Sequence, residues 1–535
     1  MSLRRVLLCA CALACLVASA TATVTLPAAV GSHMVLQRDS GAMIWGWSSH
    51  PGTQVKLSWN GKQVSTTSSD PSTGEFGFEL ISGVSTDNVL TVSDADSSVT
   101  LEDVSFGDVL LCSGQSNMQF SVAVANNAAE EIADSIHYPQ LRLFALALNA
   151  SWDPINTMES LNPAFNWTVS KPSAFELNNA WGTFSATCYF TGRSLYVALG
   201  GKVPIGLVDS DWGGTRVEAW SSPDALKKCP GDFNEFEQPE NPADPPRPML
   251  DAGDKPGQNN ASVLWNAMIY PLLPMRFKMA LWYQGEANAG NPTNYACRFP
   301  AMIEDWREKF KLPLPFFFVQ VAAYLPGGAN WPELQVAQTA ALTLSDVGMA
   351  TAMDLGDPMS PEGAIHPRFK QEVGARLERN IASIVYKQDV VYSGPVPQAM
   401  AVPPTAPNSV VIQLVNGPTS DSLYFQGTTN CGGNSTVGGK GPSCCHEVPF
   451  VLGTKSGQQI RATSVEVGTQ QLTVSASSLS SSDEITSIAY AFQPYAQCAL
   501  YNSEGLPMTP FNFALTKHEK LVLTDYTIAE QARKE

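Results

Sequence analysis

The chain is short of several things, and each shortage closes off a class of protein. Charged residues make up only 15% of its 535 positions, and 32 Lys and Arg face 49 Asp and Glu, for a net charge of −17. Such an acidic chain has no electrostatic footprint for nucleic acid or for an anionic membrane surface. Beyond the N-terminal segment no apolar run approaches the length of a membrane span, so none is expected. No P-loop, no G-x-G-x-x-G fingerprint and no lipase-type G-x-S-x-G elbow stands out. "DSDWGGTRVEAW" begins like a calcium loop, but Gly213 falls at a ligand position and Trp220 replaces the final Glu, which excludes an EF-hand. Cys444-Cys445-His446 lacks a C-x-x-C partner, so no metal site is expected. Histidine is scarce as well, with six in all.

What is present begins with "MSLRRVLLCACALACLVASATA". Arg4 and Arg5 precede the apolar stretch from Val6 to Val17, and Ala18-Ser19-Ala20 or Ala20-Thr21-Ala22 offers a cleavage site. Residues 1–22 therefore read as a secretory signal peptide, and the expected location is the secretory pathway, lysosomal or extracellular. Eight cysteines follow it (Cys112, Cys188, Cys229, Cys297, Cys431, Cys444, Cys445 and Cys498), an even number that favours disulfides without giving their pairing. Asn149, Asn166, Asn260 and Asn434 lie in glycosylation sequons.

Residues 23–103 alternate apolar and polar positions between turn signals, with Asn60-Gly61 as a hairpin turn, and predict a β-sandwich. From 104 to 390 the pattern changes. "DVLLC", "KVPIGLVDS", "FKMALWYQG" and "PFFFVQVAAY" are nearly continuous apolar runs separated by helical stretches, the pattern of a parallel sheet covered on both faces. Residues 238–257 are a Pro-rich surface insertion, 368–386 a closing helix, and 391–535 a second β-rich domain.

In parallel sheets ligands gather at the carboxyl ends of the strands. Those ends read Ser113-Gly114-Gln115-Ser116-Asn117, Trp212-Gly213-Gly214-Thr215 and Gln284-Gly285-Glu286, and later come Asp354, Asp357, Glu362 and His366. A serine hydroxyl needs an imidazole to take its proton, and the tetrahedral intermediate needs donors aimed at its oxygen. Paired glycines let backbone N–H groups approach closely, and a carboxamide adds a further donor. Of the six histidines only His366 falls near the end of this domain. Together these are the parts of a serine acyl-hydrolase.

"GDVLLCSGQSNMQF", "GLVDSDWGGTRVEAWSS", "LWYQGEAN", "IEDWREKF", "PFFFVQVA" and "IHPRFKQEVGARL" resemble the sialate O-acetylesterases, which are SGNH-type hydrolases close to carbohydrate acetylesterases. The resemblance runs from "MVLQRD" to "YNSEGLPMTPFNF". It implies an α/β SGNH-type parallel-sheet hydrolase domain, a flavodoxin-like three-layer sandwich, flanked by β-sandwich-type domains. It implies a hydrolase that removes O-acetyl groups from sialic acids or sialoglycans and uses no cofactor or metal. Carried over by position, Ser116 is the nucleophile and His366 the general base. The N–H groups of Ser116, Gly213 and Gly214, with the Gln284 amide, form the oxyanion hole.

One departure stands out. Many SGNH enzymes carry Asp three residues before the histidine, where this chain has Gly363. Asp357 is the expected orienting acid, with Asp354 and Glu362 as alternatives, or a Ser–His dyad. Glu286 is expected to brace the Gln284 turn. Trp212, Trp220, Trp282 and Trp331 are candidates for stacking on sugar. The rival readings are an acetylxylan or other polysaccharide acetylesterase and a catalytically inactive glycan-binding glycoprotein.

Overall fold

The computed structural model describes residues 24–159, 161, 166–175, 180–229, 256–415, 423–427, 448–468, 470–480, 483–515 and 521–522. Residues 1–22, expected to be a signal peptide, nearly all of the expected Pro-rich insertion, Asn434 and the Cys444-Cys445-His446 run lie outside the described residues.

A single strand, β1 (Ser98–Gly114), is the spine of the molecule. Along its second half Val109 and Leu111 enter one core while Leu110 and Cys112 enter another, the period-two split of a strand buried on both faces. Strands β2 (Leu141–Ala145), β3 (Ile205–Asp211), β4 (Met279–Tyr283), β5 (Phe316–Gln320) and β6 (Val347–Thr351) join it in parallel. Their spatial order is 2-3-1-4-5-6. With β2 set aside as an added strand, the remaining order is 2-1-3-4-5, which reverses direction at β1 and leaves a crevice at its carboxyl end.

That crevice is where β1 ends and a single helical turn, α1 (Ser116–Gln119), begins. The helices α2 (Ala186–Ala198) and α4 (Lys370–Ile384) cover the face that buries Leu110 and Cys112. On the other face α3 (Pro292–Phe310) buries Tyr295, Phe299, Met302, Ile303, Trp306 and Phe310, spaced as one helical stripe. Two disulfides pin these layers. Cys112–Cys188 ties β1 to α2, and Cys229–Cys297 ties the segment after β3 to α3.

The boundary expected between 103 and 104 falls inside β1. The first half of that strand pairs with Ser85–Ser93 and Val35–Gln37 of the N-terminal β region, and its second half with the parallel sheet. Asp108 marks the passage between them. Its carboxylate is fully buried and accepts two hydrogen bonds from the Arg38 guanidinium, at 3.0 and 2.9 Å, and one from the Tyr386 hydroxyl at 2.7 Å. From Val396 onward antiparallel strands build a separate core around Val410, Ile412, Leu452, Ile488 and Phe511. No helix among the described residues is long and apolar enough to cross a membrane.

Candidate active site

The site starts from a glycine. Gly114 has φ +143, and a Cβ there would lie 2.3 Å from the carbonyl oxygen of Tyr283 on β4. Only glycine lets the two strands close at this point, and the chain then turns out of the sheet. Gln115 N–H donates to Tyr283 O at 3.0 Å, and Ser116 becomes the first residue of α1. Gln115 also stitches the neighbouring strand end, because its Oε1 accepts from the N–H groups of Gly285 (3.3 Å) and Ala287 (3.2 Å). That is the bracing role expected of Glu286.

Ser116 Oγ lies 2.9 Å from His366 Nε2, across 250 residues of sequence. The other ring nitrogen, Nδ1, lies 2.7 Å from the backbone carbonyl oxygen of Glu362. A carbonyl only accepts, so Nδ1 carries the proton and Nε2 is the bare nitrogen that receives the Ser116 hydroxyl. Trp181 packs edge-on against the imidazole with ring centroids 4.9 Å apart. Burial, and then the nearby Lys370 charge, hold the His366 pKa below its ordinary value.

The three candidate acids lie elsewhere. Asp357 takes Arg368 Nε at 2.6 Å and Nη2 at 3.2 Å, so the expectation that it orients His366 is corrected. The reason is competition: a permanently charged, forked guanidinium two residues beyond the histidine outbids a neutral imidazole N–H. Asp354 is committed to Arg376 (2.6 and 2.8 Å) and to the Tyr501 hydroxyl (3.0 Å), where it joins α4 to the C-terminal β region. Glu362 contributes its carbonyl, not its carboxylate. Gly363 has φ +90, and a Cβ built on it would lie 4.0 Å from His366 Nδ1. The position that holds the acid in many SGNH enzymes therefore still faces the imidazole but carries no side chain.

The expected oxyanion donors divide. Gln284 is fully buried, and its Nε2 donates to Thr215 O (3.1 Å) and Asn288 Oδ1 (2.7 Å). Both amide hydrogens are thereby taken by the turn after Gly213-Gly214 and by Asn288, which corrects the assignment of Gln284 as an oxyanion donor. Gly213 N–H donates to Gln119 Oε1 at 2.9 Å, and a Cβ on Gly213 would lie 3.2 Å from Ser116 Cβ. Gly214, at φ +71, faces open space, while its carbonyl accepts from Asn259 Nδ2 at 2.9 Å. Ser116 N–H belongs to the first turn of α1 and has no intrahelical acceptor. Trp220, Trp282 and Trp331 are buried and offer no face to a sugar, whereas Trp212 is half-buried.

Two groups near the site had no clear signal in the sequence. Asp209 and Asp211 project from the end of β3 into the interior, where Asp209 Oδ2 accepts from Ser185 N–H at 3.2 Å. Burial pushes Asp209 up to about 6 against the opposing hydrogen bonds from Asp211 and the Ser185 N–H, and burial plus the Asp209 charge carries Asp211 well above the carboxylate range. The second group, Asn117 with Glu286 and Lys370, lies directly behind the serine.

A parallel sheet whose strand ends bring a serine hydroxyl within hydrogen-bond reach of a buried imidazole is the framework of an ester hydrolase. Residues 260–382 match the family model for carbohydrate esterases described as sialic acid-specific acetylesterases. The sialate O-acetylesterase of Rattus norvegicus is 32% identical over 538 residues, spanning 91% of this chain and 94% of the relative. That of Homo sapiens is 31% identical, spanning 90% and 91%. A carbohydrate acetylesterase of Xanthomonas citri superposes with a TM-score of 0.74 at 27% identity, over 92% of this chain and 99% of that one. The chain belongs to the sialate O-acetylesterase family.

Proposed function

We propose that this chain removes O-acetyl groups from sialic acids through an acyl-enzyme formed on Ser116. The observation that carries the proposal is the 2.9 Å approach of Ser116 Oγ to the unprotonated Nε2 of His366. Nε2 takes the hydroxyl proton as Oγ bonds to the acetyl carbon, and the carbonyl oxygen becomes an oxyanion. The N–H groups of Ser116 and Gly214 are the donors left for it, since Gly213 N–H is held by Gln119. Collapse breaks the ester C–O bond, and the sugar oxygen leaves with the proton from Nε2. Water then attacks the acyl carbon, His366 takes its proton and returns it to Oγ, and acetate departs.

The finer fold reading is an SGNH-type three-layer sandwich, supported by the 2-1-3-4-5 order around β1. A secretory, lysosomal or extracellular, location is supported by the disulfides Cys112–Cys188 and Cys229–Cys297, which persist in oxidising compartments. The sequons at Asn149 and Asn166 lie on exposed positions, which suits glycosylation.

Measuring acetate released from O-acetylated sialic acid tests the reading. Ser116→Ala should lower kcat by more than about 10³-fold with the fold intact. Retained activity would overturn it. The likeness to a carbohydrate acetylesterase favours a second reading, action on other acetylated carbohydrates, for which acetylated xylan serves as the probe. Equal rates on both substrates would demote sialic acid to one substrate among several.

A further inference from the structure

Behind Ser116 several segments of the chain meet at one residue, Asn117. Asn117 Nδ2 donates to Glu286 Oε1 at 2.6 Å and to the carbonyl oxygen of Ile365 at 2.9 Å. Its Oδ1 accepts from Lys370 Nζ at 2.6 Å, and its backbone carbonyl accepts from the Thr187 hydroxyl at 3.1 Å. Asn117 and Lys370 are each 1% exposed. The amide can sit only one way round, since an ammonium only donates while a carboxylate and a carbonyl only accept. Lys370 and Glu286 thus lock the orientation in which Nδ2 reaches Ile365, the residue before His366.

The lock matters because His366 has no side-chain acid. Its loop is oriented by the Glu362 carbonyl, by the Trp181 edge, by the Ser360 hydroxyl on the His366 carbonyl (2.6 Å) and by the Asn117 bond to Ile365 O. Of these, the Asn117 bond starts from the residue next to the nucleophile. It therefore fixes the distance between serine and histidine directly.

We infer that Asn117 is a positioning residue, whose carboxamide clamps the His366 loop to the nucleophile turn in place of the missing triad acid. The inference rests on the Ser116–His366 reading above. Proton transfer needs heavy atoms within about 2.6–3.2 Å, and a shift of about 1 Å costs roughly 100-fold in rate.

The test is Asn117→Asp, which keeps the shape and the acceptor for Lys370 but sets an oxygen against Ile365 O and Glu286. With O-acetylated sialic acid, kcat should fall about 10- to 100-fold while KM stays within about twofold. The double variant Asn117→Asp/Glu286→Gln restores a donor between positions 286 and 117 but leaves Ile365 unanchored. Its Tm should recover toward the parent value while kcat stays low. Recovery of kcat together with Tm would show that Asn117 only supports the fold and would overturn the inference, as would full kcat in Asn117→Asp. Counting active sites by fluorophosphonate labelling corrects each rate for the folded fraction. Ser116→Ala serves as the control: if it retains acetate release, the catalytic reading itself has failed, whatever Asn117 does.

Discussion

His366 gives its Nδ1–H to the backbone carbonyl of Glu362 at 2.7 Å, so a peptide dipole orients the imidazole where a carboxylate does so in a Ser-His-Asp triad. A neutral acceptor fixes the tautomer as well as a charged one does, but stabilises an imidazolium less. Three carboxylates lie near this loop in sequence, and none of them touches the ring.

Asp357→Asn should therefore leave kcat within about threefold of the parent, far from the roughly 10⁴-fold loss seen when a true triad acid is neutralised. The effect should appear in stability, because Arg368 loses the carboxylate that pairs with it at 2.6 Å. A loss of about 1–3 kcal/mol is expected on thermal melting. A kcat reduced by orders of magnitude with Tm unchanged would return the carboxylate to the mechanism.

The pH profile follows from the direction of the His366 shift. The base must be neutral, and burial with the Lys370 charge lowers its pKa, so it stays neutral into mildly acidic solution. The acid limb of kcat/KM should then fall below the ordinary histidine value of about 6.5. Lys370 is itself pulled down to about 7 by burial, yet remains largely charged wherever that limb lies. Lys370→Met removes the charge and should move the limb to higher pH, read from its position and not from the plateau rate.

Gly114→Ala tests the strand end that presents the serine. The new methyl would meet the Tyr283 carbonyl oxygen at 2.3 Å, and φ +143 is a conformation that alanine resists. β1 and β4 must separate there, so both stability and activity should fall, by more than about 2 kcal/mol for stability. Parent-like melting and turnover would show that the strands part without cost.

Asp209 and Asp211 give stability a pH dependence of definite sign. Their folded pKa values are raised, Asp209 to about 6, so between roughly 3.9 and that value the folded state holds protons that the unfolded chain releases. The contribution is most favourable in acid and is lost as pH rises, for Asp209 through that window and for Asp211 through its own raised pKa. Asp211→Asn gives Asp209 a donor in place of a second acid. It should stabilise the fold at pH 7.5, by an amount of order 1–3 kcal/mol that is read as a higher Tm, and flatten the decline as pH rises. An unchanged pH dependence would place the protons elsewhere.

Much of this site was legible because strand-end chemistry is local. The runs before Ser116, Gly213 and Gln284 are apolar on both faces, which marks buried parallel strands, and the residues after them therefore stand at the ligand-binding edge. His366 followed from scarcity. Gln284 was misread because position along the chain does not say which way a side chain points, and its amide turns inward to Thr215 and Asn288. That the chain passes the expected boundary at 104 within one unbroken strand was not legible, because a change in hydrophobic pattern marks a change of neighbours, and β1 changes neighbours without a break.

By itself, then, the sequence determined the parallel sheet, the serine and the histidine, because periodicity and residue type act over a few positions. Only the tertiary structure decided what holds the histidine. Asp357, Glu362, Gly363 and Arg368 are all close to His366 in the chain, and backbone turns and charge pairing select among them. The Asn117–Lys370 contact joins residues 253 positions apart, and no local pattern encodes it.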